Sequence, residues 1–155
     1  MRGGSRIVAG TIGGLLLIGP PALAAGPDDA QAAFDHRVDT MKRMGHALYV
    51  TIGKVVRGKA ELEPGTVAAA ETIVTLSATI PTLFPAGSNV GDSRVKPEIF
   101  AAGPRVEELA AGVQQAAATL AAAAKAGDKT ALAAAYKAQD DACEACHRDF
   151  RKPLP

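Results

Sequence analysis

Between residues 28 and 56, apolar or small side chains recur at alternating steps of four and three residues. This spacing places them on one face of an α-helix and predicts a seam that packs against a neighbouring helix. The seam consists of Phe34, Val38, Met41, Gly45, Leu48, Ile52 and Val55. A helix with such a face needs partner helices to cover it.

Three further segments show a helical pattern. They are rich in alanine, which favours helix, and they lack the β-branched and aromatic runs that indicate strands. The segments are 66–80, 105–125 and 129–152, and the breaks before them are 57–65, 81–97 and 126–128. Pro81 is expected to end the second helix, while Gly127 and Asp128 are expected to cap the third and fourth. The sequence therefore predicts an all-α fold, an antiparallel four-helix bundle.

The first 24 residues have the pattern of a secretory signal. Arg2 and Arg6 precede an uncharged run over 7–19, and small residues follow at Ala22 and Ala24. Since a bilayer span needs about 20 apolar residues, a membrane anchor is the weaker alternative. We predict a signal peptide over 1–24, a single domain over 25–155 and a periplasmic location.

The charge of the exported chain argues against one class of partner. Without the signal segment, 15 basic and 16 acidic residues remain. A nucleic-acid-binding surface requires a clear excess of basic residues. We therefore expect no nucleic acid among the partners.

The fourth segment contains the sequence CEACH, which holds the only two cysteines of the chain. Cys143, Cys146 and His147 are spaced i, i+3 and i+4, so a helix presents all three on one face. Two thiols so placed can add to the two vinyl groups of a haem while the imidazole reaches the iron, and C-x-x-C-H is the attachment signal of c-type haems. We predict one covalent haem c in the bundle.

Other uses of this motif each lack a part. A structural zinc site needs four ligands, and the chain offers only His36 and His46 besides the motif. A thioredoxin-like dithiol needs a strand before the motif, and a disulfide across a single helical turn would constrain little. The alanine-rich seams allow either a narrow, closely packed interior or one that a bulky prosthetic group fills.

With four helices and CEACH at the end of the last, the chain resembles the class II c-type cytochromes, the family of cytochrome c-prime and its low-spin relatives. The resemblance covers roughly 32–152. It rests on RVDTMKRMGHAL at 37–48, LFPAGS at 83–88, KPEIF at 96–100, AGD at 126–128 and CxxCH. One departure is Phe100, where the family often has tryptophan.

The resemblance implies a role for several residues. Cys143 and Cys146 would form the thioethers, and His147 would be the proximal iron ligand. Arg151 resembles the family arginine beside that histidine, and Arg37 resembles the arginine near a haem propionate. For both arginines, a solvated face of the bundle is the alternative.

The resemblance also places Met41 at the distal side of the haem. If Met41 binds iron, His/Met ligation raises the reduction potential, and the protein carries single electrons between unidentified periplasmic redox partners. If Met41 only crowds the site, the iron is five-coordinate and high-spin and binds NO or CO. We expect the electron carrier, which is not an enzyme, with the gas binder as the alternative.

Three further expectations concern the other histidines, the oligomeric state and a function without haem. His36 and His46 lie five residues on either side of Met41, about 140° around the helix, and should be at the surface. The sequence does not decide whether a homodimer forms through the first two helices, because the exposed face of the first helix carries Asp39, Lys42 and Arg43 and has no clear apolar patch. A bundle without haem that serves as an interaction module is a third kind of function.

Overall fold

The computed structural model describes residues 26–153, which form four helices. The first, α1, has three contiguous stretches, and the others are continuous. Their bounds are Pro27–Gly45, His46–Ile52 and Gly53–Val56 for α1, Pro64–Ser77 for α2, Gly103–Ala126 for α3 and Lys129–Phe150 for α4. The expected four-helix bundle is confirmed.

The predicted signal peptide lies outside the described residues. Between residues 26 and 153, no helix combines the length and the apolar character that crossing a membrane requires. The only strand-like pairing there is an isolated antiparallel bridge between Val95 and Arg151.

The middle of α1, His46–Ile52, is a π-helix. Because π-helical hydrogen bonds span five residues instead of four, this stretch changes which side chains face the bundle. Before it, Phe34, Val38 and Met41 are only half-buried, whereas Leu48 and Ile52 within it are fully covered. The seam predicted along α1 therefore has two environments.

One end of the bundle is packed closely. Seven of the 13 buried residues in its core cluster are alanine, and Ile52, Leu120 and Leu132 lie among them with no exposed surface. Small side chains let helices approach each other and still fill the space between them. The closely packed interior considered from the sequence describes this end of the molecule.

The caps between α3 and α4 are those expected. Gly127 has a left-handed φ of 70°, and its N–H donates to the carbonyl of Ala124 at 3.2 Å. The Asp128 carboxylate accepts from the N–H groups of Thr130 and Ala131, both at 2.9 Å. These contacts satisfy backbone groups that helix ends leave without partners.

The expected end of α2 at Pro81 is wrong by several residues. α2 ends at Ser77, and Pro81 lies in a separate 3-10 turn, Ile80–Thr82. The hydroxyls of Ser77 and Thr79 donate to the carbonyls of Val74 and Leu76, at 3.0 and 2.8 Å. Such hydroxyls compete for backbone acceptors, and a proline disfavours helical geometry in the residue before it.

The long loop before α3 is tied to the end of α4. The Lys96 N–H donates to the Phe150 carbonyl at 2.8 Å, and the Lys152 N–H donates to the Arg94 carbonyl at 2.7 Å. The Lys96 ammonium also donates to the carbonyls of Arg148 and Asp149, at 3.1 and 3.0 Å. These bonds cap the C-terminus of α4 and hold Arg94 and Val95 beside the CEACH turn.

Replacing Leu120 tests the packing of the alanine-rich end. Leu120→Ala should lower the free energy of unfolding by about 2–5 kcal/mol, because a buried leucine leaves a cavity that small neighbours cannot fill. Guanidinium unfolding followed by circular dichroism measures it. Val74→Ala at an exposed position of α2 is the control and should change stability by about 0.5 kcal/mol or less. A loss of less than about 1 kcal/mol in Leu120→Ala would contradict the packing described.

Candidate functional site

A cavity of about 510 Å³ lies at the other end of the bundle, next to the CEACH turn. Its volume is that of a site for a sizeable organic ligand. Most of its wall is apolar, and α1, α2, α4 and the long loop contribute to it. The apolar part of the wall includes Phe34, Val38, Met41, Met44, Leu48, Ile73, Phe84, Val95, Ile99 and Phe150.

The CEACH side chains form part of this wall. Cys143, Cys146 and His147 all line the cavity and are half-buried, and both cysteines are free thiols. Burial raises the pKa of each thiol. The helix thus presents two thiols and an imidazole to one space, as the i, i+3, i+4 spacing predicted.

The zinc alternative gains no support from the geometry. Within residues 26–153, no three side chains of the metal-binding types lie close enough together to hold an ion. His36 and His46 are exposed, as expected, and do not line the cavity. A structural zinc site has four ligands, so it would need at least one more beside Cys143, Cys146 and His147.

The imidazole of His147 has one buried atom without a partner. Its Nδ1 forms no hydrogen bond within the described chain. The Glu144 carboxylate is 3.7 Å away, which is too far for a hydrogen bond. Burial lowers the pKa of His147, and the positive charge of Arg151 lowers it further, against the opposing charge of Glu144. The neutral imidazole thus favoured is the form that binds metals.

The two methionines near the cavity have different surroundings. Met44 is 8% exposed and belongs to a small core cluster with Ile80, Leu83 and Val113. Met41 is half-buried, lines the cavity and packs against the edge of the same cluster. The structure therefore brings Met41 and His147 to one cavity from different helices.

Arg37 is not on a solvated face, so that alternative is wrong. Its side chain is 3% exposed. It donates to the Leu83 carbonyl at 3.0 Å and to the Ser88 hydroxyl and carbonyl at 3.0 and 2.9 Å. Its guanidinium lies 5.6 Å from the ring centroids of Phe34 and Phe84.

The charge of Arg37 has no counter-ion in the described part of the chain. All three acceptors of its hydrogen bonds are neutral, and burial lowers its pKa. A buried cation without an anion is costly. An anionic group entering the cavity beside Arg37 would reduce this cost.

Arg151 lies just beyond the end of α4, and its side chain is exposed. Its N–H donates to the His147 carbonyl at 2.8 Å, and the residue pairs with Val95 across the short bridge. It also lines the cavity. The structure thus places Arg151 beside His147 at the rim of the site.

Sequence reasoning missed several polar residues of the site. Gln139 is fully buried in the cavity wall; its Nε2 is 3.4 Å from the Cys143 sulfur, and its Oε1 has no partner in the described chain. Tyr49 donates to the Asp140 carboxylate at 2.7 Å. Gln139 interrupts the apolar face of α4 in the sequence, and this was the one signal that could have indicated a polar residue in the cavity wall. The loop partner Ser88 lies in the LFPAGS motif, but nothing in that motif indicated a contact with Arg37.

A covalent haem fits the residues around this cavity. The apolar wall suits a porphyrin, the two thiols suit its vinyl groups, and the buried, unpaired guanidinium of Arg37 suits a carboxylate. The unpartnered imidazole of His147 supplies the donor type that iron requires.

Solved proteins of the same architecture resemble this chain. A ferrous variant of cytochrome c prime from Alcaligenes xylosoxidans with bound NO has a TM-score of 0.72 at 29% identity, covering 84% of this chain and 99% of that one. A carbon monoxide-bound variant of that protein gives 0.72 at 30% identity, covering 83% and 98%. A cytochrome c' with ligand-controlled dimer dissociation gives 0.75 at 28% identity, covering 83% and 100%.

Sequence comparison leads to the same family. The chain is 38% identical over 74 residues to the cytochrome c' of Rhodocyclus tenuis, a match that covers 45% of this chain. It spans just over half of the length of the first two curated relatives that it matches, 56% of each. The sequence model described as Cytochrome C' matches residues 32–151. The chain therefore belongs to the cytochrome c' family, and one covalent c-type haem is its cofactor.

Proposed function

We propose that this protein binds small gases, NO or CO, at a five-coordinate haem in the periplasm. The observation that carries the proposal is its similarity, over 84% of the chain, to a cytochrome c prime solved with NO bound. The apolar cavity supports it, since its walls admit a small neutral molecule more readily than a charged one. Of the two haem-based functions considered from the sequence, the comparisons favour this one.

The residues of the cavity have distinct roles in this proposal. The thiols of Cys143 and Cys146 form the thioethers, and His147 binds the iron. Arg37 would pair with a carboxylate of the haem from within the protein, and Arg151 lies beside His147 at the rim. The bound haem supplies the gas-binding and redox chemistry, and the chain holds it in a dry, apolar space.

Met41 crowds the site in this proposal and does not bind iron. Its side chain packs against the cluster that contains Met44, Ile80 and Leu83. Methionine on an apolar stripe commonly fills space. Its bulk would then restrict which ligands enter and how fast.

The second candidate is the electron carrier with Met41 as the sixth ligand. It is favoured by one observation, the presence of a thioether in the same cavity as His147. Its redox partners would be other periplasmic proteins. A homodimer is compatible with either function. Because one similar protein has a ligand-controlled dimer, the oligomeric state of this protein should be measured with and without CO.

Spin state separates the two candidates. In the haem-loaded protein we expect a high-spin ferric EPR and optical spectrum that Met41→Leu leaves unchanged, because no iron bond is lost. Met44→Leu is the matched control, since it removes the other thioether of the cavity wall at a cost of less than about 1.5 kcal/mol. A low-spin spectrum with a sulfur-to-iron charge-transfer band, lost only in Met41→Leu, would reverse the order of the two candidates.

Removing the bulk of Met41 should speed ligand entry. Met41→Ala is expected to raise the association rate of CO by about tenfold or more, which is the scale on which a few methylene groups discriminate in an apolar pocket. Stopped-flow mixing of the ferrous protein with CO measures this rate. An unchanged rate would mean that Met41 does not crowd the ligand.

Arg37 should be essential to the loaded structure. Arg37→Met leaves the Leu83 and Ser88 acceptors without a donor. We expect the free energy of unfolding to fall by about 1–3 kcal/mol for each buried acceptor left without a hydrogen bond. The exposed Arg43, paired with Asp39 at 3.6 Å, is the control; Arg43→Met should cost about 1 kcal/mol or less. Urea unfolding of the haem-loaded proteins compares them, and equal losses would contradict a buried role for Arg37.

A further inference from the structure

The buried Nδ1 of His147 needs a hydrogen-bond acceptor once the imidazole binds iron. Coordination uses Nε2, so the remaining proton is on Nδ1, which then acts as a donor. In the described chain this atom is buried and has no partner. A buried N–H left without an acceptor is costly, and metal-binding histidines almost always give this hydrogen to a carboxylate, a carbonyl or water.

The nearest carboxylate belongs to Glu144, the residue between the two cysteines that follows Cys143. Its Oε1 is 3.7 Å from His147 Nδ1, and the two residues are one turn apart on α4. A charged hydrogen bond requires about 2.7–2.9 Å, so a movement of about 1 Å would complete it. The Glu144 side chain is 59% exposed, which leaves it room to move.

The other carboxylates of α4 already have partners. Asp140 accepts from the Tyr49 hydroxyl at 2.7 Å, and Asp141 pairs with Lys137. Asp149 pairs with Arg105 at 3.0 Å. Within residues 26–153, the only ion-pair contact of Glu144 is with His147. Glu144 is therefore the carboxylate of this helix that is available to the imidazole.

The positive groups near His147 cannot take this role. Arg94 and Arg151 both act on its charge, but guanidinium groups donate hydrogen bonds and accept none. Their charges also attract a carboxylate to this side of the ring. Among the charged side chains around the ring, Glu144 is the one that can accept this hydrogen bond.

We propose that Glu144 is a positioning residue that accepts the Nδ1–H of His147 and thereby strengthens the bond between the imidazole and iron. The proposal rests on His147 being the iron ligand. A carboxylate acceptor fixes the tautomer and makes the ring a stronger electron donor. A stronger donor stabilises ferric over ferrous iron and lowers the reduction potential.

The test compares Glu144→Ala, Glu144→Gln and Asp141→Asn in the haem-loaded protein. Asp141→Asn is the control because it removes a negative charge from the same helix without touching the histidine. We expect Glu144→Ala to shift the redox equilibrium constant at least about tenfold toward the ferrous form, or about 59 mV for one electron. Glu144→Gln should shift it less, because an amide oxygen still accepts a hydrogen bond, and Asp141→Asn least.

Resonance Raman of the ferrous protein gives a second readout, the iron–histidine stretching frequency. We expect it to fall in Glu144→Ala and to stay unchanged in Asp141→Asn, since only the first loses the acceptor. If Glu144→Ala matches Asp141→Asn in both potential and frequency, the proposal is overturned.

Failure of the gas-binding proposal would look different. A six-coordinate ferrous spectrum of the unaltered protein would show that Met41 binds iron. The reduction potentials of the Glu144 variants can still be compared with that of Asp141→Asn. They therefore test the role of Glu144 whether or not Met41 binds the iron.

Discussion

The fold depends on an apolar cavity that its own side chains do not fill. At one end, alanine lets the helices approach, and residues such as Ile52 and Leu120 close the core. At the other end, about 510 Å³ lies open between walls of apolar side chains. Apolar surface left facing water costs roughly 25 cal/mol per Å². A bulky apolar cofactor removes this cost, and the proposed attachment through Cys143 and Cys146 would keep it in place.

Polar contacts at the margin keep this cavity in shape. Arg37 ties α1 to the loop through Leu83 and Ser88, and Lys96 ties the loop to the end of α4. Both use backbone carbonyls that would otherwise lack donors. Because each of these side chains crosses from one element to another, they fix the spacing between the helix that carries Met41 and the helix that carries His147.

Much of this arrangement could be predicted from local patterns. The seams, the Gly127 and Asp128 caps and the grouping of CEACH on one face depend on spacing along a single helix, which sequence records directly. The π-helical stretch His46–Ile52 has no such periodic signal, since π-helices are rare and short. The early end of α2 has local causes in Ser77, Thr79 and Pro81, but hydrophobic spacing alone does not reveal them. Ser88 contacts Arg37 across 51 positions of the chain, and no local pattern encodes such a contact.

The choice between the two sixth-site occupancies depends on how freely Met41 can move. Arg37 lies one helical turn before Met41, and its three hydrogen bonds to the loop hold that part of α1 against rotation. With this part of α1 held, the side chain of Met41 would adjust to a bound haem mainly through its own rotamer. That change would take it from its packing against the Met44 cluster. Because Met41 is only half-buried, the loss is smaller than the roughly 1.5–3 kcal/mol of a fully buried methionine. An iron–sulfur bond would have to exceed this loss, and the hydrogen bonds of Arg37 oppose a compensating rotation of α1.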